Sequence, residues 1–136
     1  MSSSDAATFY KVLTVFYGIF GIVCIFIPQL MGLFYTQAGR NAVTEFSTHV
    51  TLHMGIDIAS IAILVPMLPN TPVCVRRCGL IALGPAIATL YGLLFTNTWH
   101  PILAPIFILL PCALLFIWSQ IIAKQMEGST TNNKKM

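Results

Sequence analysis

Apolar residues fill four long runs, broken by short stretches marked with proline, glycine or polar residues. Runs over 9–27, 42–68, 73–95 and 101–123 each come close to the ~20 residues that a helix needs to cross ~30 Å of hydrocarbon. A polar leader, 1–8, precedes the first run; its SSSD stretch is suited to cap a helix beginning near Ala6. The run 9–27 ends in Ile-Pro-Gln and not in a small-residue cleavage site, so it reads as a retained span and not a signal peptide. Pro28, Gly32 and Gly39 interrupt the segment that follows, which predicts an interfacial stretch or a kinked continuation. Pro66, Pro69 and Pro72 close the second helix, and Gly84-Pro85 predicts a kink in the middle of the third. The tail 124–136 is polar and is expected to be disordered. The pattern predicts an all-α protein, an integral-membrane four-helix bundle.

Composition agrees with that picture. Charged residues make up 8% and hydrophobic residues 57%, with a mean hydropathy of +0.83. A soluble domain carries about 25% charged residues, so the chain belongs in or beside a lipid bilayer. The net charge of +3 comes from scattered cations and forms no basic face, which argues against nucleic-acid binding. With four spans, Lys11, Arg76, Arg77, Lys124, Lys134 and Lys135 share one side, and Arg40 stands alone on the other. The positive-inside rule then predicts both termini in the cytosol, in the endoplasmic reticulum of a eukaryote. Cys24 and Cys112 sit in apolar runs as small hydrophobes, and Cys74-x3-Cys78 has neither a zinc-ribbon nor a thioredoxin spacing.

Candidate chemistry concentrates in RNAVTEFSTHVTLHMGID, residues 40–57. Glu45, His49, His53 and Asp57 recur every four residues, which lines them along one side of a helix. Glu45 and Asp57 are the only acids within the spans, and ionisable groups at membrane depth usually mark function. The stripe rises ~18 Å and drifts ~120°, so a reacting group meets a run of neighbours and not all four. In apolar surroundings an acid–histidine pair can hold one proton donor and one acceptor near neutrality. This is the equipment for protonating an epoxide or carbonyl oxygen and directing water, or an internal hydroxyl, onto carbon. Arg40, Tyr91, Tyr17, Asn97 and His100 are the polar residues expected to hold substrate, with Tyr17 nearer the deep, Asp57 end. The alternative use of His49-x3-His53 is a single zinc ion, with an acid as a further ligand. There is no phosphate-binding glycine loop, nucleophile elbow or dinucleotide fingerprint, and no cofactor is expected on the acid–base reading.

This layout, one four-span domain with an acid/histidine stripe, resembles the very small multi-pass enzymes of fungal secondary metabolism. The nearest are the epoxide hydrolases of aurovertin- and citreoviridin-type polyketide pathways. The resemblance implies a lipophilic polyketide or terpenoid substrate and epoxide opening, or a related cyclisation or isomerisation. Against the membrane terpene cyclases, the chain has about half the spans and lacks an acid on a late helix. A non-catalytic carrier or assembly partner is the competing expectation. Four short spans enclose little volume, which would suit a pocket shared between subunits of a homo-oligomer.

Overall fold

The computed structural model describes residues 2–37 and 45–133, and among these the side chains of 4–27, 30–37 and 51–129. Four helices make the body: α1 (Ser2–Phe26), α2 (Glu45–Leu64), α3 (Pro72–Tyr91) and α4 (Leu110–Asn133). Short turns extend them: Pro28–Met31 and Gly32–Phe34 after α1, Val65–Met67 after α2, and π-helical turns at Gly92–Thr96 and Pro105–Leu109. The fold is all-α. Three stretches, Ser4–Phe26, Pro72–Thr96 and Pro105–Ser129, are long and apolar enough to cross a membrane. The fourth apolar helix, Thr51–Met67, is shorter among the described residues.

Two helix pairs build the bundle. α1 packs along α2, and α3 packs along α4. Small residues make both seams possible, because without side chains in the way backbones approach closely and gain dispersion contacts. A Cβ added at Gly21 would lie 2.9 Å from the Ala59 nitrogen and 3.0 Å from the Gly55 carbonyl oxygen. One added at Gly55 would lie 2.8 Å from the Cys24 Cβ. In the second seam, Gly79 lies directly under the Ser119 side chain, which a Cβ there would overlap.

The two ends of the bundle differ. Near the chain termini the core is filled: Phe9, Leu13, Val65, Val75, Cys78 and Ile122 are all buried together. There the Tyr10 hydroxyl donates to the Pro69 carbonyl at 3.1 Å, and Phe9 meets Trp118 edge-on at 5.5 Å. Arg76 and Glu127 pair across α3 and α4 at 2.8 Å. The N-terminal half of α1, the α2–α3 turn and the C-terminal part of α4 therefore share one end. At the other end the two remaining connections pair with each other. Thr36 N–H donates to the Thr98 carbonyl (2.8 Å) and His100 N–H to the Phe34 carbonyl (2.6 Å), around an antiparallel bridge of Tyr35 with Trp99.

Two element boundaries differ from the sequence expectation. The chain is helical from Ser2, so residues 2–8 of the leader belong to α1. The tail is helical as far as Asn133, ten residues beyond the Ala123 at which the last span was expected to end. Polar composition there does not end the helix. Lys124, Gln125, Met126 and Glu127 are good helix formers, Met126 packs into the terminal core, and Glu127 is held by Arg76. All four cysteines are free thiols.

Gly21→Leu should destabilise the folded protein by about 1–3 kcal/mol or more, since backbone and not a flexible side chain stands in the way. Gly128→Ala, where an added Cβ meets open space on an exposed helical turn, should instead raise stability by up to about 1 kcal/mol. Thermal unfolding in detergent reads both. An unchanged midpoint for Gly21→Leu would contradict the α1–α2 seam.

Candidate functional site

The filled core stops at Tyr17. Beyond it, toward the paired loops, the four helices leave a cavity of about 470 Å³, within the size range of small-molecule pockets. Phe16, Tyr17, Phe20 and Cys24 of α1 form one wall, and Thr51, Met54, Ile58 and Ile61 of α2 a second. Ile81, Gly84, Pro85, Ala88 and Thr89 of α3 form a third, and Ile108 and Cys112 complete the far side. Met31, Tyr35 and Trp99 close the end.

Local sequence explains the hollow. Gly84 contributes no side chain, and a Cβ there would meet nothing within 4 Å. Pro85 has no N–H to offer the Ile81 carbonyl one turn earlier, which is the helix-breaking element expected at this point. The closing lid is aromatic. Tyr35 and Trp99 stack at 4.8 Å with their planes 29° apart. The Cδ1–Nε1 edge of the Trp99 indole sits against Gly92, where an added Cβ would overlap it. Asn97 takes a left-handed conformation (φ 48°) that turns the chain back toward Trp99. Burial pushes the Tyr35 phenol above its ordinary value, with the Cys24 thiol adding to the effect.

Two polar groups in this apolar lining stand out. The Tyr17 hydroxyl and the Thr89 Oγ1 are both buried, and neither has a hydrogen-bond partner among the described residues. Leaving such a group unsatisfied costs about 1–3 kcal/mol. The cavity is therefore a largely apolar chamber whose walls bury two hydroxyls, of Tyr17 and Thr89, that have no partner among the described residues. One side is open. α2 and α3 are consecutive in sequence yet barely touch among the described residues. Met54 on α2 and Ile81, Gly84 and Ala88 on α3 line the cavity while being exposed at the bundle surface.

The residues expected from sequence divide between this chamber and other places. Tyr17 is in the cavity wall. His53 and Asp57 are not; both are exposed. The α2 residues that touch α1 or its side chains are Gly55, Ala59 and Ala62. At 100° per residue these lie ~200° around the helix from His53 and Asp57, so that pair faces away from α1. Glu45 and His49 belong to α2, with side chains outside the described residues, and Arg40 lies outside the described residues altogether. Tyr91 is exposed and leans on Phe95 at 5.2 Å, away from the cavity. Asn97 is exposed, and its carbonyl accepts from the Thr36 hydroxyl at 2.8 Å. The His100 Nδ1 accepts from the Ile102 and Leu103 N–H groups at 3.3 Å each, the work of a helix cap and not of a substrate ligand. Among the described residues no three of His, Cys, Asp and Glu gather as a metal site would need. The zinc alternative depends on His49, which lies outside them.

Sequence reasoning did not select Thr89, Tyr35, Trp99 or Gly84 as site residues. A threonine within an apolar run was the available signal for Thr89, and Gly84-Pro85 was visible as a kink. The helix runs unbroken through that pair as Pro72–Tyr91, and that these small residues border a chamber depends on packing.

Tyr17→Phe should leave the stability of the ligand-free protein unchanged or raise it, because the hydroxyl removed has no partner. Tyr10→Phe should lower it by about 0.5–1.5 kcal/mol, because it breaks the bond to Pro69. Parallel thermal melts of the two variants check the contrast. No family model, curated protein or solved structure matches the chain.

Proposed function

We propose that this is an integral-membrane protein that takes a lipophilic small molecule bearing one oxygen function from the bilayer into the chamber. The pair of unpartnered hydroxyls, Tyr17 and Thr89, in an otherwise apolar lining carries this reading. A ligand oxygen bonded there would satisfy two groups that otherwise bear a desolvation cost. The volume, about 470 Å³, is in the range of small-molecule pockets, the scale of a terpenoid or a segment of a polyketide chain. The gap between α2 and α3, rimmed by Met54, Ile81, Gly84 and Ala88, is the entry from lipid. Lys11, Arg76, Arg77 and Lys124 belong to the end where the termini meet, and we assign that end to the cytosol.

Within this reading the protein is an enzyme of cofactor-free acid–base chemistry, opening an epoxide or driving a related cyclisation or isomerisation. Tyr17 and Thr89 donate hydrogen bonds to the epoxide or carbonyl oxygen and stabilise the negative charge that develops on it. A hydroxyl within the substrate, or a water, then attacks carbon as the C–O bond breaks. The proton lost by the attacking hydroxyl or water ends on the alkoxide oxygen that the opened epoxide leaves, carried by the ionisable stripe of α2. A second reading, a carrier that binds without reacting, is favoured by one observation: the described lining contains neither an acid nor a histidine.

Trp99 in the lid reports occupancy by fluorescence, with Trp118→Phe removing the only other tryptophan. A medium-chain epoxide or alcohol should quench it in a saturable way, and Gly84→Leu, which fills the chamber, should abolish the response. Tyr17→Phe with Thr89→Val should weaken the oxygenated ligand roughly tenfold and leave its hydrocarbon analogue unaffected. Equal binding of both ligands to both proteins would contradict the role given to the hydroxyls. Alanine at one or more of Glu45, His49, His53 and Asp57 should abolish product formation while binding persists; turnover preserved at all four would reject acid–base catalysis by the stripe.

A further inference from the structure

Asp57 and His53 present a problem that the chamber does not solve. Asp57 lies inside the apolar stretch Thr51–Met67, ~9 Å of helix rise from one end and ~15 Å from the other. With α2 set in the bilayer beside the other three helices, as the proposed function has it, the short aspartate side chain is held away from water. It is exposed, as are His53 one turn before it and Ser60 one turn after it. The three fall within ~60° of arc on the outer face of α2, opposite the seam with α1. Ser60 satisfies itself on the Ile56 carbonyl at 2.8 Å. Among the described residues, the His53 and Asp57 side chains make no hydrogen bond or ion pair. A lone protomer would turn an acid and an imidazole straight into hydrocarbon, where such groups nearly always face protein or pair with each other.

We propose that a second copy of this chain covers the outer face of α2, with His53 of each protomer bonded to Asp57 of the other. The face is complementary to itself: it offers one acid and one base, and nothing else ionisable is described on it. Copies of one chain insert with the same orientation, so the two α2 helices run parallel about a two-fold axis along the membrane normal. In such an isologous contact, if residue i meets j then j meets i, so one interface contains two His53–Asp57 pairs. The ~6 Å rise between the positions is within the combined reach of an imidazole and a carboxylate. The pairing turns both groups into partnered, lipid-shielded ones. It is independent of what fills the chamber, since the chamber face of α2 (Met54, Ile58, Ile61) is a different one.

Cysteine cross-linking in native membranes tests the face. In a Cys74→Ser background, Ser60→Cys should give a covalent dimer with a short bis-maleimide, whereas Ile87→Cys, exposed on α3, should not. Association measured by energy transfer between labelled protomers in liposomes should fall at least tenfold in His53→Ala and in Asp57→Ala. Mixing these two variants should restore much of it, because the mixed dimer rebuilds one of the two pairs that each variant alone lacks. Thermal melts and the Trp99 response confirm that the variants are folded. Equal cross-linking at positions 60 and 87, a monomer at all protein-to-lipid ratios, or single variants that associate like the parent would each overturn the proposal. So would two weakened variants that do not rescue one another, since that result points to loss of packing and not of a pair.

Discussion

The contact of Gly21 with Ala59, and of Gly55 with Cys24 and Ile25, sets the rotation of α2 about its own axis. Everything functional in the bundle follows from that angle. In water, an amphipathic helix would be turned by its polar face seeking solvent. In lipid that force is missing, and close approach of small residues decides which side is buried. With Gly55, Ala59 and Ala62 against α1, Met54, Ile58 and Ile61 fall toward the chamber. His53 and Asp57 are left on the outside. A larger residue at Gly21 or Gly55 would separate the backbones and remove the reference that holds all three faces in place.

The same economy of side chains explains why half of the bundle is solid and half hollow. Phe9, Leu13, Val65, Val75 and Ile122 fill the space near the termini. Past Tyr17 the facing positions on α3 become Gly84, Pro85 and Ala88, too small to meet the opposite wall. Trp99, stacked on Tyr35 and seated on Gly92, spans the far end like a plate, tied down by the bridge between the two loops. An apolar chamber of this kind tolerates emptiness. What it does not tolerate cheaply is an unpaired hydroxyl, and it holds two, Tyr17 and Thr89. The hydroxyls and the described members of the stripe, His53 and Asp57, are thus on different sides of the helices, the first in the chamber walls and the second on the outer surface.

Much of the architecture was legible in the chain. Four apolar runs, proline-marked turns and the flanking cations are local signals, and lipid enforces them because every backbone polar group must be satisfied within its own helix. The last helix was less legible. Its polar end was read as disorder from composition, whereas the Met126 and Glu127 contacts that keep it helical come from other segments. Of the candidate site residues read from sequence, Tyr17 is the one that lines the chamber among the described residues. Thr89, Trp99 and Gly84 were not among those candidates, because their importance depends on which helices face one another.

The sequence by itself determined that an acid and a histidine recur at four-residue steps along one side of α2, since helical periodicity needs no tertiary information. It could not determine where that side points. Nor could it place a chamber, which arises where the small residues of α3 meet the gap beside α2. Only the tertiary structure decided both, through glycine contacts between segments more than thirty residues apart in the chain. Spacing along a helix is a local property, whereas its azimuth in a bundle is set by the neighbours it packs against.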